Sequence, residues 1–223
     1  PRIGEAVSRI PWLRFLTPRS PAMSEEDVAE LDDHLIIAGF GFTGQNLARA
    51  ATAAGIDYIV IELNPDTVQR CLREGEDIFC GDATYAPVLE HAGIERAGVL
   101  AVVMSDAAGT RRTVEEARRL NPACHIVARA HFTHELRDLI DIGANEVVAE
   151  EFEASIELFG RVLRAYMIAP DRVDEVIAEV RADGYALLSA EDEAELGERG
   201  PSRLPNWQHD VSALRVCAGS PLA

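Results

Sequence analysis

Gly39, Gly41 and Gly44 stand in a GxGxxG spacing, with Phe40, Phe42 and Thr43 between them. An acid, Glu62, follows about 20 positions later. No GxSxG, GxxxxGK[ST] or HExxH accompanies them, so the chemistry on offer is the holding of a phosphorylated nucleotide. In such a turn Gly39 permits the tight bend, Gly41 lets a phosphate approach the backbone, and Gly44 lets a helix pack close to a strand. Backbone amides at the helix start then point at the anion, helped by the helix dipole. Glu62 has the position of an acid that accepts hydrogen bonds from ribose hydroxyls. An acid there, where an Arg would accommodate a 2′-phosphate, disfavours NADP. The alternative is a glycine-rich packing turn that binds nothing.

Three elements must bring these residues together. His34-Leu35-Ile36-Ile37-Ala38 is an apolar run too short for a helix, which predicts a buried strand. The Ala-rich segment 45–54, stopped by Gly55, predicts a helix, and 58–61 predicts a second strand that ends on Glu62. Strand, glycine turn, helix, strand and acid are the context that the spacing requires. The alternation continues with a helix from Asn64-Pro65-Asp66 to about 74, a strand at 76–80 and a short helix at 87–91. A wholly apolar strand at 99–104 and a helix at 107–120 follow. The last elements are a strand at 124–130, a helix at 131–140, a strand at 145–148 and a long helix at 152–168. This order predicts an α/β fold: a Rossmann-like, doubly wound, parallel six-stranded sheet with a C-terminal helical and irregular extension.

Ligands of such sheets bind beyond the carboxyl ends of the strands, where the strand order reverses. Leu63, Asp82, Ala83, Ser105, Asp106 and Arg129 fall at those ends. Asp82 and Ala83 belong beside an adenine. Arg129 either pairs bidentately with a phosphate or makes an ordinary salt bridge to a neighbouring acid. His131 and His134, three apart, could share a face toward a metal, but no third ligand is spaced to join them. A dehydrogenase needs a positioned acid or base near the nicotinamide, and too little chain follows the long helix to house a substrate domain. Nucleotide sensing is therefore favoured over catalysis.

A formal net charge of −17 argues against nucleic acid, whose phosphates need Lys and Arg. Cys71, Cys80, Cys124 and Cys217 have no ligand spacing and read as reduced, buried thiols. No apolar run approaches the ~20 residues that span a bilayer. The chain begins at Pro1 without a Met, as expected of a piece of something longer.

Residues 1–32 form a lead-in and an acidic linker. Arg2, Arg9, Arg14 and Arg19 surround Trp12, Leu13, Phe15 and Leu16, which reads either as a flexible leader or as a juxtamembrane segment. Residues 33–168 form the nucleotide domain, and 169–203 a helical extension and acidic loop. In that extension Val173, Val176, Ile177 and Val180 give a helix at 171–182 an apolar face that needs a partner surface. Residues 185–188 read as a short strand. Residues 204–223, with a strand-like run at 212–217, look like the start of a further module.

Taken together, five ordered motifs carry a resemblance. They are the glycine turn after HLIIA, Glu62, Gly81-Asp82-Ala83-Thr84, Ile126-Val127-Ala128-Arg129-Ala130, and Gly143-Ala144-Asn145-Glu146-Val147-Val148. They resemble the TrkA-N, or RCK, domain that regulates potassium channels and transporters. Over 33–168 the chain is most similar to the cytoplasmic domain of Kef-type monovalent cation:proton antiporters, and 215–222 resembles the first strand of a TrkA-C module.

The resemblance implies a homodimer that gates an attached membrane transport domain at the cytoplasmic face of a bacterial inner membrane. It implies NAD(H), or AMP or another adenine nucleotide, as ligand. Gly39, Gly41, Phe42, Thr43 and Gly44 would hold phosphate, Glu62 the ribose, and Asp82 and Ala83 the adenine, with Leu63 beside them. Arg129 would meet a phosphate or an interface anion, and a small-molecule regulator such as glutathione would bind at the dimer interface. Alternatives are a soluble TrkA-like subunit or the RCK domain of a potassium channel and, more distantly, an NAD-dependent oxidoreductase fragment. Phe42-Thr43 departs from the Arg-Val or Arg-Phe often found in this turn, which removes a cation near the phosphates.

Overall fold

The computed structural model describes residue 28 and residues 31–189. Six strands form one sheet: β1 (Leu35–Ala38), β2 (Tyr58–Glu62), β3 (Ile78–Cys80), β4 (Val99–Val102), β5 (His125–Ala130) and β6 (Glu146–Ala149). Their order is β3-β2-β1-β4-β5-β6 and every pairing is parallel. The chain therefore starts in the middle of the sheet, winds outward one way, then returns and winds the other. The order reverses between β1 and β4, where Ile37 stands between Val60 and Ala101.

Helices α1 (Phe42–Ala54), α2 (Pro65–Arg73), α3 (Ala86–His91), α4 (Ala107–Leu120) and α5 (Glu135–Asp141) connect the strands, and α6 (Glu150–Ala165) and α7 (Pro170–Ser189) follow β6. Alternation along a strand sends side chains to opposite faces. Ile36, Ala38, Ile59 and Ile61 pack with Leu89, Val114 and Leu136. Ile37, Tyr58 and Val60 pack with Ala48, Ala51, Val68 and Cys71. So α1 and α2 cover one face, and α3, α4 and α5 the other. Ile36, Ile37, Ile59 and Ile61 are at most 2% exposed, and burying each contributes about 1.5–3 kcal/mol.

The six parallel strands agree with the sequence-based expectation, and the differences are local. α1 begins at Phe42, inside the glycine turn, because Gly41 is its N-cap and the Gly41 carbonyl already accepts the Gln45 N–H at 3.0 Å. α5 begins at Glu135, not 131. The Glu135 carboxylate accepts the N–H groups of His131 and Phe132 at 2.8 and 3.2 Å and holds them outside the helix.

Residues 185–188 are not a strand but the continuation of α7. Tyr185 sits edge-on to Phe152, ring centroids 5.2 Å apart, and its hydroxyl donates to Glu153 at 3.1 Å. The apolar face of α7 is covered by the chain itself: Val173 and Val176 are buried, and Ile177 lies against Gly160 of α6. Arg181 reaches both Glu153 oxygens, at 2.7 and 3.1 Å. This forked pair, helped by the Tyr185 hydroxyl, holds the Glu153 carboxyl below its ordinary pKa against the opposing effect of burial.

Cys71 and Cys124 are buried as expected, but Cys80 is exposed, because β3 ends there at the sheet's edge strand. Cys217, the Arg-rich leader, the acidic loop from 190 and the run at 212–217 lie outside the described residues. Among the described residues no helix is long and apolar enough to cross a membrane.

Candidate functional site

The glycine turn joins β1 to α1 beside the point where the sheet order reverses. Gly39 has φ +104°, a backbone region that favours glycine, and a side chain there would press on the Met104 backbone. A methyl group at Gly44 would overlap the Gly39 carbonyl oxygen, so glycine is what lets α1 close onto β1. Gly41 differs from both. Its φ is −68°, and beyond its chain neighbours no atom lies within 4 Å of the place a Cβ would occupy. Neither backbone conformation nor packing asks for glycine at 41. Its effect is to leave open space before the start of α1, which has no side-chain cap and whose first-turn N–H groups have no intrahelical partners. Phe42, in that first turn, is 84% exposed, and Thr43 is half-buried.

Glu62 closes β2 and faces this turn. One carboxylate oxygen accepts the Phe40 N–H at 2.7 Å, the other the Asn64 N–H at 2.8 Å. A carboxylate offers about four lone-pair positions, so each oxygen can take one more donor. The Glu62 carbonyl accepts the Gly81 N–H at 3.0 Å, which draws the next box alongside. There the Asp82 side chain accepts the Thr84 N–H at 3.0 Å and the Thr84 hydroxyl at 2.8 Å. Ala83 is buried and Leu63 exposed. The glycine turn, Glu62, Leu63, Asp82 and Ala83 thus stand together at the adjacent ends of β1, β2 and β3.

Arg129 lies apart, at the end of β5. Its guanidinium donates to the Met104 carbonyl at 2.9 Å and pairs with Glu150 at 3.2 Å, so the ordinary salt bridge is the arrangement found. His131 Nδ1 is 2.7 Å from the same carboxylate. A pocket of about 220 Å³ opens here, lined among others by Met104, Ser105, Thr110, Arg129 and His134. Arg111 and Asp138, also in its wall, are ion-paired with each other. Asp106 serves as N-cap of α4, accepting the Gly109 N–H at 2.8 Å. Among the described residues no group of three or more His, Cys, Asp or Glu is placed to hold a metal.

Met104 joins the two regions, since its backbone abuts Gly39 and it also lines the pocket. Sequence reasoning missed Met104 and the Arg111–Asp138 pair. Neither belongs to a motif, and only the packing of α4 against α5 brings Arg111 and Asp138 together.

The TrkA-N domain family matches residues 35–150. A putative K(+) efflux antiporter KefB of Alkalimonas amylolytica is 26% identical over 212 residues, 94% of this chain and 31% of that protein. The chain spans about a third of the length of the curated relatives it matches. The Kef CTD of Shewanella denitrificans in AMP bound form superposes with a TM-score of 0.63 at 24% identity, over 70% of this chain and 95% of that one. The GsuK channel bound to NAD gives 0.53 at 21% identity, over 72% and 28%. At those identities the two structures share the fold. The family match is of another kind, for it runs from the first strand to the start of α6 and takes in more than half of the residues: the chain belongs to the TrkA-N domain family.

Proposed function

We propose that this domain is an adenine-nucleotide sensor that regulates monovalent-cation transport, potassium foremost, by an attached membrane domain. Gly41 carries the reading, as a glycine that its own fold does not need and that keeps a helix N-terminus open. Backbone amides of Gly41, Phe42, Thr43 and Gly44 would receive the phosphate at a turn that Gly39 shapes while its own N–H stays on the Ile61 carbonyl. Glu62 would take the ribose, and Leu63, Asp82 and Ala83 would flank the base. A bound nucleotide supplies phosphate charge and a flat aromatic surface. Glu62, which already grips the turn, takes the ribose with its spare lone pairs. Two arrangements of paired domains that differ in nucleotide affinity would then be biased by occupancy, and the transport domain with them.

The ligand class is supported by the AMP named with the Kef domain and the NAD named with GsuK. Within that class the pocket beyond Met104 favours a dinucleotide as a second reading, because it adjoins the turn and could receive the second nucleoside. Regulation of transport is supported by the antiporter relative, and a domain attached to such a transporter would work at the cytoplasmic face of a bacterial inner membrane. The same nucleotide site would serve a soluble TrkA-like subunit or a channel domain equally well.

The domain would act as a homodimer. Its contact is assigned to the outward face of α6 and the turn after it, where Leu158, Val162, Tyr166 and Met167 stay exposed. A small-molecule regulator would bind at that interface. The organisation proposed is a linker over 1–32, the nucleotide domain over 33–168, an extension over 169–203 and the start of a TrkA-C-like module over 204–223. Thermal unfolding with AMP and with NAD⁺, in the wild type and in Gly41→Val, tests the central reading.

A further inference from the structure

The segment entering β1 is fastened to the amino edge of the sheet by two side chains that the nucleotide site does not use. Arg96 closes a 3-10 turn (Ile94–Arg96). Its Nε donates to the Leu31 carbonyl at 3.0 Å and its Nη2 to the Val28 carbonyl at 3.3 Å. Its own carbonyl accepts the Asp33 N–H at 2.9 Å. His34, 1% exposed, donates from Nε2 to the Ala92 carbonyl at 2.9 Å. Both side chains converge on Gly93, where a methyl group would come within 3.1 Å of the Arg96 guanidinium and 3.2 Å of the His34 ring. Val28 and Leu31 are buried in the same core as Leu89 and Ile94.

Ala92, Gly93 and Arg96 directly follow α3, and α3 starts at the Asp82–Thr84 box. The Tyr85 N–H donates to the Asp82 carbonyl at 3.1 Å, and the Tyr85 carbonyl accepts the Val88 N–H at 3.0 Å. Leu89 and Ala92 are fully buried. Six helical residues make a rod roughly 9 Å long, set in a close-packed interior that transmits a displacement instead of absorbing it. One end of this rod meets the adenine side of the site, and the other holds the chain that enters the domain.

We propose that Arg96 is a positioning residue that couples the nucleotide site to the chain upstream of β1, with α3 as the connecting rod and His34 as its second attachment. The proposal rests on the nucleotide reading above and adds the route by which occupancy leaves the domain. What Arg96 grips are two backbone carbonyls, so the coupling acts on the position of the lead-in whatever side chains it carries. A guanidinium suits this, since its rigid fork can serve two carbonyls at once.

Hydrogen exchange on the full chain, with and without saturating AMP and NAD⁺, tests it. Slowing at residues 39–45 reports occupancy of the site, and exchange of the Asp33 amide and its neighbours at 31–35 reports coupling. In the wild type both regions slow, the second about five- to tenfold, the lower end of ordinary coupling between sites. In Arg96→Met the turn still slows on nucleotide addition while 31–35 no longer responds. Arg96→Lys keeps the charge on one donor nitrogen without the fork, and retains part of the response should Arg96→Met fail to fold. Slowing at 39–45 with none at 31–35 in the wild type would overturn the proposal. So would a response at 31–35 that survives both substitutions, because Arg96 would then only stabilise the fold. No slowing at 39–45 with either nucleotide overturns the underlying nucleotide reading, and the proposed route with it.

Discussion

Glu62 holds Phe40: the carboxylate at the end of β2 accepts the Phe40 N–H at 2.7 Å, across the gap between two parallel strands. The acid that the nucleotide reading assigns to ribose is thus also a clamp on the glycine turn. Charge-assisted hydrogen bonds of this kind are worth about 1.5–3 kcal/mol when shielded from water. Glu62→Gln keeps an acceptor for Phe40 but gives up the charge. Urea melts should show a loss of about 1 kcal/mol, while nucleotide affinity falls at least tenfold. Equal affinity in Glu62→Gln would mean that the clamp is the only role of this acid.

Gly44 and Gly41 separate packing from ligand access. Gly44→Ala drives a methyl group into the Gly39 carbonyl and should cost about 3 kcal/mol or more. Gly41→Val meets open space at an extended N-cap position and should change stability by less than about 1 kcal/mol. Denaturant midpoints of the two variants against wild type check the contrast.

His34 makes stability depend on pH. Burial is the main cause that pushes its imidazole below the ordinary value near 6.5, and the Arg96 charge adds to it. The Ala92 carbonyl and the carboxylates of Asp32 and Asp57 oppose the shift. Nδ1 has no hydrogen-bond partner, so a proton there would bury an unsatisfied donor. Above about pH 6.5 both folded and unfolded states are neutral at this group. Below it the unfolded chain takes up the proton first, so stability falls as the pH falls toward the lower folded value. Melting temperatures between pH 7.5 and 5.5 should decline, and decline less in His34→Gln.

The outer face of α6 and the inner face of α7 should respond differently to charge. Leu158→Glu with Val162→Glu alters exposed positions and should leave stability within about 0.5 kcal/mol of wild type while light scattering reports a monomer. Val176→Asp puts a carboxylate at a buried position and should cost about 3 kcal/mol. A dimer unchanged by the α6 pair would move the interface elsewhere.

The strand order and the glycine turn were legible because each rests on local pattern. Apolar runs such as 34–38 and 99–102 can be buried on both faces only in a covered parallel sheet. Asn64-Pro65 announces a helix start whose cap the structure then shows. What was not legible depended on tertiary partners. Tyr185 reads as strand by propensity, yet Phe152 and Glu153 of α6 give its ring and hydroxyl a helical setting. Arg129 was legible as a strand-end cation, but not that its acid would be Glu150, 21 positions away. The apolar stripe of α7 asks for a partner, and no periodicity could tell that α6 of the same chain supplies it. His34 and Arg96 carried no signal, because what they grip is backbone.

The most direct test of the central claim is the melting temperature of the wild type and of Gly41→Val, each with AMP and with NAD⁺ at a hundredfold excess over Kd. Binding to the folded state alone adds about 2.7 kcal/mol, which raises the midpoint of a chain this size by about 5–10 °C. A rise with at least one nucleotide in the wild type, and none in a Gly41→Val protein that melts normally without ligand, is the result expected. No rise in the wild type, or the same rise in both proteins, would contradict nucleotide binding at the glycine turn.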